Sequence, residues 1–433
     1  MRSLSEAHAR DYRQHTALRR ALATTTLLLS LFPYVGISIF RAPTEVQPWA
    51  ALFAWGGIMI LALSGRAGTK IHEMILLFFG LFFLVYVPVW SQVDILSYLR
   101  KSSSVLLSLG IVLLSRSLEP LTLIRALKVA SLIWFAFASL GAVSPSLYHS
   151  IIKFFVPNAL GAYGERGATS LAPEATDFGF TMVYYFMLLF LASVAERDKN
   201  RTGAPLWLYL IIVLNVFLSG AASGIFGLII ITSVLFFFFD VKTASNRFRF
   251  RRSFMFISLS CLLLLVAIQI GLFEYLNIRG VELLLVMLSD PSAMTDTTLS
   301  YRLAHNLVGI YGMLESNFIG FGGGTFLLKA RDLYFSNNVG ELLDLTGWYA
   351  INVPNTLSES PLSMVAVLLF EYGVFGLLFL LYCLWLPIAS RVLAGVAVAA
   401  LLFLTLSQSF PLAYPLFWVL VGVVQNPRFR CRV

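Results

Sequence analysis

The sequence predicts an all-α, polytopic membrane protein with about twelve transmembrane helices and one large, partly helical outer loop. Hydrophobic residues make up 58% of the chain and charged residues 12%, and the mean hydropathy is +0.83. A soluble chain is about half apolar and about a quarter charged. Apolar runs of about 17–25 residues recur throughout, which is the length that a helix needs to cross roughly 30 Å of hydrocarbon.

The apolar runs divide the chain into spans and connectors. We place the predicted spans near residues 21–40, 46–64, 74–92, 96–114, 127–145, 178–195, 205–219, 224–239, 254–273, 361–386, 392–409 and 411–426. These spans divide the chain into five segments: a basic arm (1–20), nine spans with an outer loop at 146–177 (21–273), a large outer loop (274–360), three spans (361–426) and a basic tail (427–433).

The basic residues predict the orientation. Most of the 31 Lys and Arg residues fall in the two termini and in alternate connectors when the N-terminus is placed inside. Lys and Arg are enriched in cytoplasmic loops. We therefore predict that both termini are cytoplasmic and that the 274–360 loop is outside. The net charge of +9 is then a topology signal, and it does not indicate nucleic-acid binding, which needs the charge gathered on one folded domain.

The outer loop at 146–177 contains charges close to the predicted membrane surface. IIKFFV predicts a short interfacial helix, and GAYGERGATSLAPEATD follows it. Charges at that depth usually have a partner or a task. Arg166 and Glu174 therefore have two equally weighted interpretations: an ion pair that closes the loop, or functional groups.

The 274–360 loop carries the other candidate residues. LSYRLAHNLVGIYGMLESN predicts a helix over about 299–316, with Arg302 and His305 away from its apolar face. GFGGGTF follows, and the N–H groups of Gly322 and Gly323 are candidates for an anion-binding concavity. The same glycines are also a common way to make a turn. Glu371, in the tenth predicted span, needs a partner that the sequence does not identify.

Neither a metal nor another cofactor is predicted. The three cysteines are scattered, and the chain has no metal-ligand spacing and no clustered outer carboxylates.

The order of four stretches resembles the O-antigen polymerase and ligase superfamily of bacterial envelope biogenesis. These are TSLAPEATDFGF, LSGAASGIFGLI, SYRLAHNLVGIYGMLESNFIGFGGGTF and LSMVAVLLFEYGVFG, which together extend over roughly residues 160–385. The last resembles a segment in which an acidic residue, here Glu371, precedes Gly-x-x-Gly. Two departures stand out. Leu362 occupies the position of the ligase histidine, which favours a polymerase, and Ala222 and Ser223 stand where an arginine often ends the second motif.

The resemblance implies a glycosyltransferase at the periplasmic face of the inner membrane, acting on donor and acceptor oligosaccharides linked to undecaprenyl diphosphate. A chain-length regulator and a flippase are further partners that it suggests. We nominate Arg166, Arg302, Gly322 and Gly323 to bind the diphosphate, and Glu174 and His305 as candidate general bases.

Two other functions remain open. One is an O-antigen ligase that transfers the glycan to a lipid A-core acceptor. The other is a transporter with about twelve spans, which predicts internal repeats and broken, charged helices at mid-membrane; we find no repeat. An assembly protein is a weaker third hypothesis.

Overall fold

The computed structural model describes most of the chain outside one long central segment. The described residues are 2–36, 46–63, 70–86, 98–99, 102–156, 167–199, 202–238, 298–343, 347–359, 361–390, 394–408 and 411–429. The ninth predicted span, 254–273, and the first part of the large loop lie outside them.

This part of the chain is all-helical, as predicted. Within the described ranges, nine helices precede the large loop: α1 (Arg2–Leu31), α2 (Trp49–Leu63), α3 (Ile71–Val85), α4 (Ser104–Ser115), α5 (Pro120–Val143), α6 (Pro145–Phe155), α7 (Ala175–Arg197), α8 (Leu206–Leu218) and α9 (Ala222–Phe238). Seven follow: α10 (Thr298–Glu315), α11 (Phe326–Ser336), α12 (Val339–Leu342), α13 (Gly347–Glu359), α14 (Met364–Ala389), α15 (Gly395–Leu406) and α16 (Pro415–Gln425).

Among the described helices, three are long and apolar enough to cross a membrane, namely α5, α7 and α14. The other apolar helices have 10–17 residues and are shorter than the roughly 20 residues that roughly 30 Å of hydrocarbon needs. Helix α1 is longer than the predicted first span at its N-terminal side, since the basic arm is helical, and it ends at Leu31. The membrane-protein class is therefore supported, whereas the number of twelve spans stays a prediction.

Helix α7 lies at the centre of the bundle. In its apolar stretch, 94% of the residues are buried, so other helices surround it on nearly all sides. Trp134 of α5 stacks on Phe178 with ring centroids 5.3 Å apart, and its indole N–H donates to the Tyr185 hydroxyl at 3.1 Å. That hydroxyl donates to the Leu31 carbonyl, so one buried polar chain joins α5, α7 and the end of α1.

The predicted inner connectors meet at one end of the bundle. Glu119, at the start of α5, accepts from Arg20 at 3.0 Å and from Arg428 at 3.3 Å. Glu73 and Arg116 form a second ion pair, which is almost fully buried. The N-terminal helix, two predicted cytoplasmic connectors and the C-terminal tail are therefore neighbours.

The predicted outer segments meet at the opposite end. The Gly36 N–H donates to the Phe155 carbonyl at 2.7 Å, and the Met364 N–H donates to the Gln408 carbonyl at 3.2 Å. The Tyr86 hydroxyl lies 3.3 Å from the Gly320 carbonyl, to which it donates. Which end faces the cytoplasm stays a prediction.

The described part of the large loop has a hydrophobic core of its own. Tyr301, Val308, Phe326, Leu333 and Val353 are buried in it, and they come from α10, α11 and α13. Helix α10 matches the predicted helix at 299–316, whereas α11, α12 and α13 were not predicted. This core continues onto Ala366, Val367 and Phe370, so the loop helices rest on the first part of α14.

Candidate functional site

Helix α14 is broken at Gly373, where the backbone has φ 53° and ψ −128°. The segment after α10 fills the break. Phe321 N–H donates to the Phe370 carbonyl at 2.9 Å, Gly322 N–H donates to the Glu371 carbonyl at 2.9 Å, and Val374 N–H donates to the Phe318 carbonyl at 2.8 Å. The groups that a helix leaves unpaired at a break thus find partners in the large loop.

The close approach of the two segments requires glycine. A Cβ atom on Gly320 would lie 2.5 Å from the Glu371 carbonyl oxygen, and one on Gly373 would lie 2.2 Å from the Phe318 carbonyl oxygen. Both glycines also have positive φ, which side chains disfavour. The predicted glycine turn is therefore the part of the loop that docks into α14.

Gly322 and Gly323 lie in this docked turn. The Gly322 N–H is bonded to the Glu371 carbonyl, and the Gly323 N–H points to the Tyr86 carbonyl at 3.4 Å. An anion site needs N–H groups that are not already used in the fold. The amides that we nominated for the diphosphate serve here to hold the turn in place.

Glu371, for which the sequence offered no partner, is buried beside the break. Its Oε1 accepts from the Phe326 N–H at 3.1 Å, which is the first amide of α11. A carboxylate at a helix N-terminus is favoured by the helix dipole and by the unpaired amides there. Glu371 thus joins α14 to α11.

His305 is fully buried and engaged at both ring nitrogens. Nδ1 accepts from the Leu362 N–H at 3.1 Å, so the proton of the neutral ring lies on Nε2, which is 3.2 Å from the Thr356 hydroxyl oxygen. Burial lowers the pKa of His305 to about 3. A general base needs a lone pair that faces the substrate. This geometry makes His305 a positioning residue that ties α10 to α13 and to the start of α14.

Asn306 forms the next tie between α10 and α14. The Ser363 hydroxyl donates to Asn306 Oδ1 at 2.6 Å and accepts from the Ala366 N–H at 3.4 Å, so Ser363 caps the start of α14. This bond fixes the first turn of α14 next to α10.

Arg302 lies one helical turn before Asn306 and is half-buried. Burial lowers the pKa of its guanidinium, because a cation loses hydration there. Among the described residues, no carboxylate forms an ion pair with Arg302. Arg302 is therefore a desolvated cation without a counter-ion among the described residues. It lies on α10, which is bonded to the start of α14.

The second group of nominated residues lies at the start of α7. Glu174 is exposed and precedes the first residue of the helix. The loop before it is fixed by the Ala168 N–H, which donates to the Leu218 carbonyl at 2.9 Å, and by the Tyr148 hydroxyl, 2.6 Å from the Thr169 hydroxyl oxygen. Arg166 lies outside the described residues, so its predicted pairing with Glu174 stays a prediction.

The described residues of the connector between α15 and α16, 407–408 and 411–414, contact elements of both groups. Near α7, the hydroxyl oxygen of Tyr414, in the connector, is 2.8 Å from that of Thr181. Just before the connector, the hydroxyl oxygen of Thr405 in the last turn of α15 is 2.6 Å from that of Tyr184. Near α14, the Gln408 carbonyl accepts from the Met364 N–H. Glu174 and Arg302 therefore belong to elements at the same end of the bundle, joined through this connector, which sequence reasoning missed because its residues carry no chemical motif.

Within the described ranges, no three His, Cys, Asp or Glu side chains are grouped as metal ligands. The sequence matches no protein-family model and no curated protein.

Proposed function

We propose that this chain is a membrane glycosyltransferase that polymerises oligosaccharide repeats carried on undecaprenyl diphosphate, at the outer face of the bacterial inner membrane. The observation that carries the proposal is Arg302, a desolvated guanidinium without a described counter-ion. Arginine suits phosphate because its fork of N–H donors makes paired, charge-assisted bonds.

The location of Arg302 also fits a lipid-linked substrate. Helix α10 packs against α14, which is long and apolar enough to cross a membrane. A diphosphate attached to a lipid tail must stay at headgroup depth, next to the end of such a helix. An arginine held there would meet the leaving group without drawing the glycan into the bilayer.

The proposed reaction transfers the growing glycan to a new repeat. The bond between the anomeric carbon of the donor sugar and the diphosphate oxygen breaks, and a glycosidic bond to an acceptor hydroxyl forms. The acceptor hydroxyl loses its proton, and undecaprenyl diphosphate leaves with the bonding electron pair. Arg302 stabilises the charge that develops on the diphosphate, and Arg166 is a second candidate for this role.

Glu174 is the candidate general base that this proposal keeps. It is exposed at the start of α7, where a carboxylate can reach an incoming hydroxyl. His305 holds α10 in place, and Gly322 and Gly323 form the turn that docks into α14.

The test is complementation of a strain deleted for this gene, read as polymer length on a gel with membrane levels of each variant checked. We expect Arg302→Ala to leave mostly single repeats, because loss of one preorganised cation costs about 10²-fold in rate. Arg302→Lys keeps the charge without the fork and should give short polymer. Arg331→Ala is the matched control, since Arg331 is exposed on α11 of the same loop and should leave polymer length unchanged.

Two results would overturn the proposal. Normal polymer from Arg302→Ala at wild-type expression would remove Arg302 from the site. If the deletion strain keeps its normal chain length but its glycan fails to reach the final acceptor, the chain is a ligase despite Leu362.

A transporter is the second candidate function, and the break in α14 favours it. Secondary transporters place discontinuous helices and buried charges at their substrate sites, and Glu371 lies beside the break at Gly373. Against this, the backbone groups at the break are bonded to residues 318–322. Transport of a lipid-linked glycan across the vesicle membrane by the reconstituted protein, with no glycosidic bond formed, would decide for this alternative.

A further inference from the structure

A cluster of arginines lies at the predicted inner end of the bundle, opposite the candidate glycan site. It comes from the first helix, the α4–α5 turn and the C-terminal turn. We call it the inner arginine cluster, and its members are Arg19, Arg20, Arg116 and Arg428.

Two carboxylates neutralise only part of this charge. Glu119 serves both Arg20 and Arg428 through the same oxygen, at 3.0 Å and 3.3 Å. Glu73 forms an ion pair with Arg116 and also accepts a hydrogen bond from the Lys70 N–H at 2.6 Å. Four guanidinium groups thus face two carboxylates, and the described cluster keeps an excess of positive charge.

Arg19 is the member of the cluster without a described carboxylate partner. Its Nε is buried and has no hydrogen-bond partner, and no carboxylate of the described residues forms an ion pair with it. It is close enough to Arg116 to repel it: burial, and then the charge of Arg19, lower the pKa of Arg116 to about 10. A buried donor without an acceptor, beside a like charge, is costly unless an anion completes the site.

The cluster lies beside the ends of apolar helix segments. Arg19 and Arg20 lie on α1 within one turn of the buried apolar residues Leu22 and Ala23. Arg116 directly follows the apolar helix α4. An anion that reaches this position most readily is one attached to a membrane lipid, because basic pockets between helices on the cytoplasmic side bind anionic headgroups.

We propose that the inner arginine cluster binds the phosphate group of an anionic phospholipid, with Arg19 as its central donor and with Arg20 and Arg428 at the rim. The Glu73–Arg116 pair forms the floor of the site. This site is separate from the glycan chemistry and does not depend on it.

The experiment measures lipid-dependent stability of the purified full-length chain in nonionic detergent. Phosphatidylglycerol, phosphatidylcholine or inorganic phosphate is titrated into the micelles, and the midpoint of thermal unfolding is followed. We expect phosphatidylglycerol to raise the midpoint saturably and phosphatidylcholine to leave it unchanged. Arg19→Gln should weaken the apparent affinity about fivefold, as expected for one basic residue at an anionic surface, and Arg19→Lys should restore part of it.

Arg125→Gln is the matched control, because Arg125 is an exposed arginine in the first turns of α5 and should leave the affinity unchanged. Equal loss in Arg125→Gln and Arg19→Gln would mean diffuse surface attraction and would overturn the site. No response to phosphatidylglycerol in the wild type would overturn it as well. A saturable response to inorganic phosphate alone, matched by no added effect of the lipid, would contradict the assignment to a phospholipid.

Discussion

Replacement of Gly373 by alanine should undo the joint between α14 and the large loop. The added Cβ atom would lie 2.2 Å from the Phe318 carbonyl oxygen and 2.6 Å from the Ile319 carbonyl carbon, and both are backbone atoms that cannot rotate away. The left-handed backbone at Gly373 costs a side-chain residue about 1–2 kcal/mol. Three backbone hydrogen bonds cross the joint, at about 1 kcal/mol each. We therefore expect a loss of about 4 kcal/mol.

The buried Cys383, ten residues further along α14, gives a direct assay. With Cys261→Ser and Cys431→Ser as background, a maleimide fluorophore reacts only when Cys383 becomes exposed on heating. At an unfolding entropy of about 2.1 cal/mol/K per residue, about 4 kcal/mol lowers the midpoint by roughly 4 °C for cooperative unfolding of this chain. Gly56→Ala is the control, since a Cβ there meets nothing within 4 Å and alanine favours the helix.

A midpoint for Gly373→Ala within about 1 °C of the Gly56→Ala control would refute the reasoning. It would mean that α14 runs straight through Gly373 and that the loop does not dock there.

Three further predictions concern ionisable groups. The pKa of His305, about 3 in the fold against 6.5 ordinarily, is depressed, so its contribution to stability is present above about pH 6.5 and is lost as the pH falls towards 3; between pH 7 and pH 5 the loss is about 2 kcal/mol, and denaturant titrations should show it absent from His305→Gln. Glu73→Gln should cost about 3–5 kcal/mol, because it removes the carboxylate of a buried ion pair with Arg116, whereas Glu119→Gln at the exposed pairs should cost under about 1 kcal/mol; equal losses would contradict the difference in burial. Glu371→Leu removes the acceptor of the first α11 amide and should cost about 1–3 kcal/mol, with Glu371→Gln milder, and faster hydrogen exchange in α11 would report it.

The positions of the apolar helices could be predicted from the sequence. Predicted spans at 46–64 and 205–219 match α2 and α8 to within a few residues, because long apolar runs leave few alternatives to a helix. The lengths of the helices were harder to predict. Helix α1, for example, ends at Leu31 inside the predicted first span, and the apolar residues Phe32, Tyr34 and Val35 follow it outside the helix.

The joints between distant segments could not be predicted. The apolar run of α14 continues through Gly373 without a break in its pattern, and only the docked loop shows why the helix is interrupted there. His305 and Leu362 are 57 residues apart, and no local pattern indicates that the imidazole meets that amide. The sequence singled out His305 as a candidate general base, but nothing in it indicates that both ring nitrogens are bonded within the fold.

The most direct test of the proposed function uses purified protein in proteoliposomes. The substrate is the lipid-linked repeat extracted from the deletion strain, and the measured products are polymer and released undecaprenyl diphosphate, with no ion gradient imposed. The account predicts polymer from the wild type and from Arg331→Ala, and a rate about 10²-fold lower from Arg302→Ala. Absence of polymer from the wild type, or an equal rate from Arg302→Ala, would contradict it.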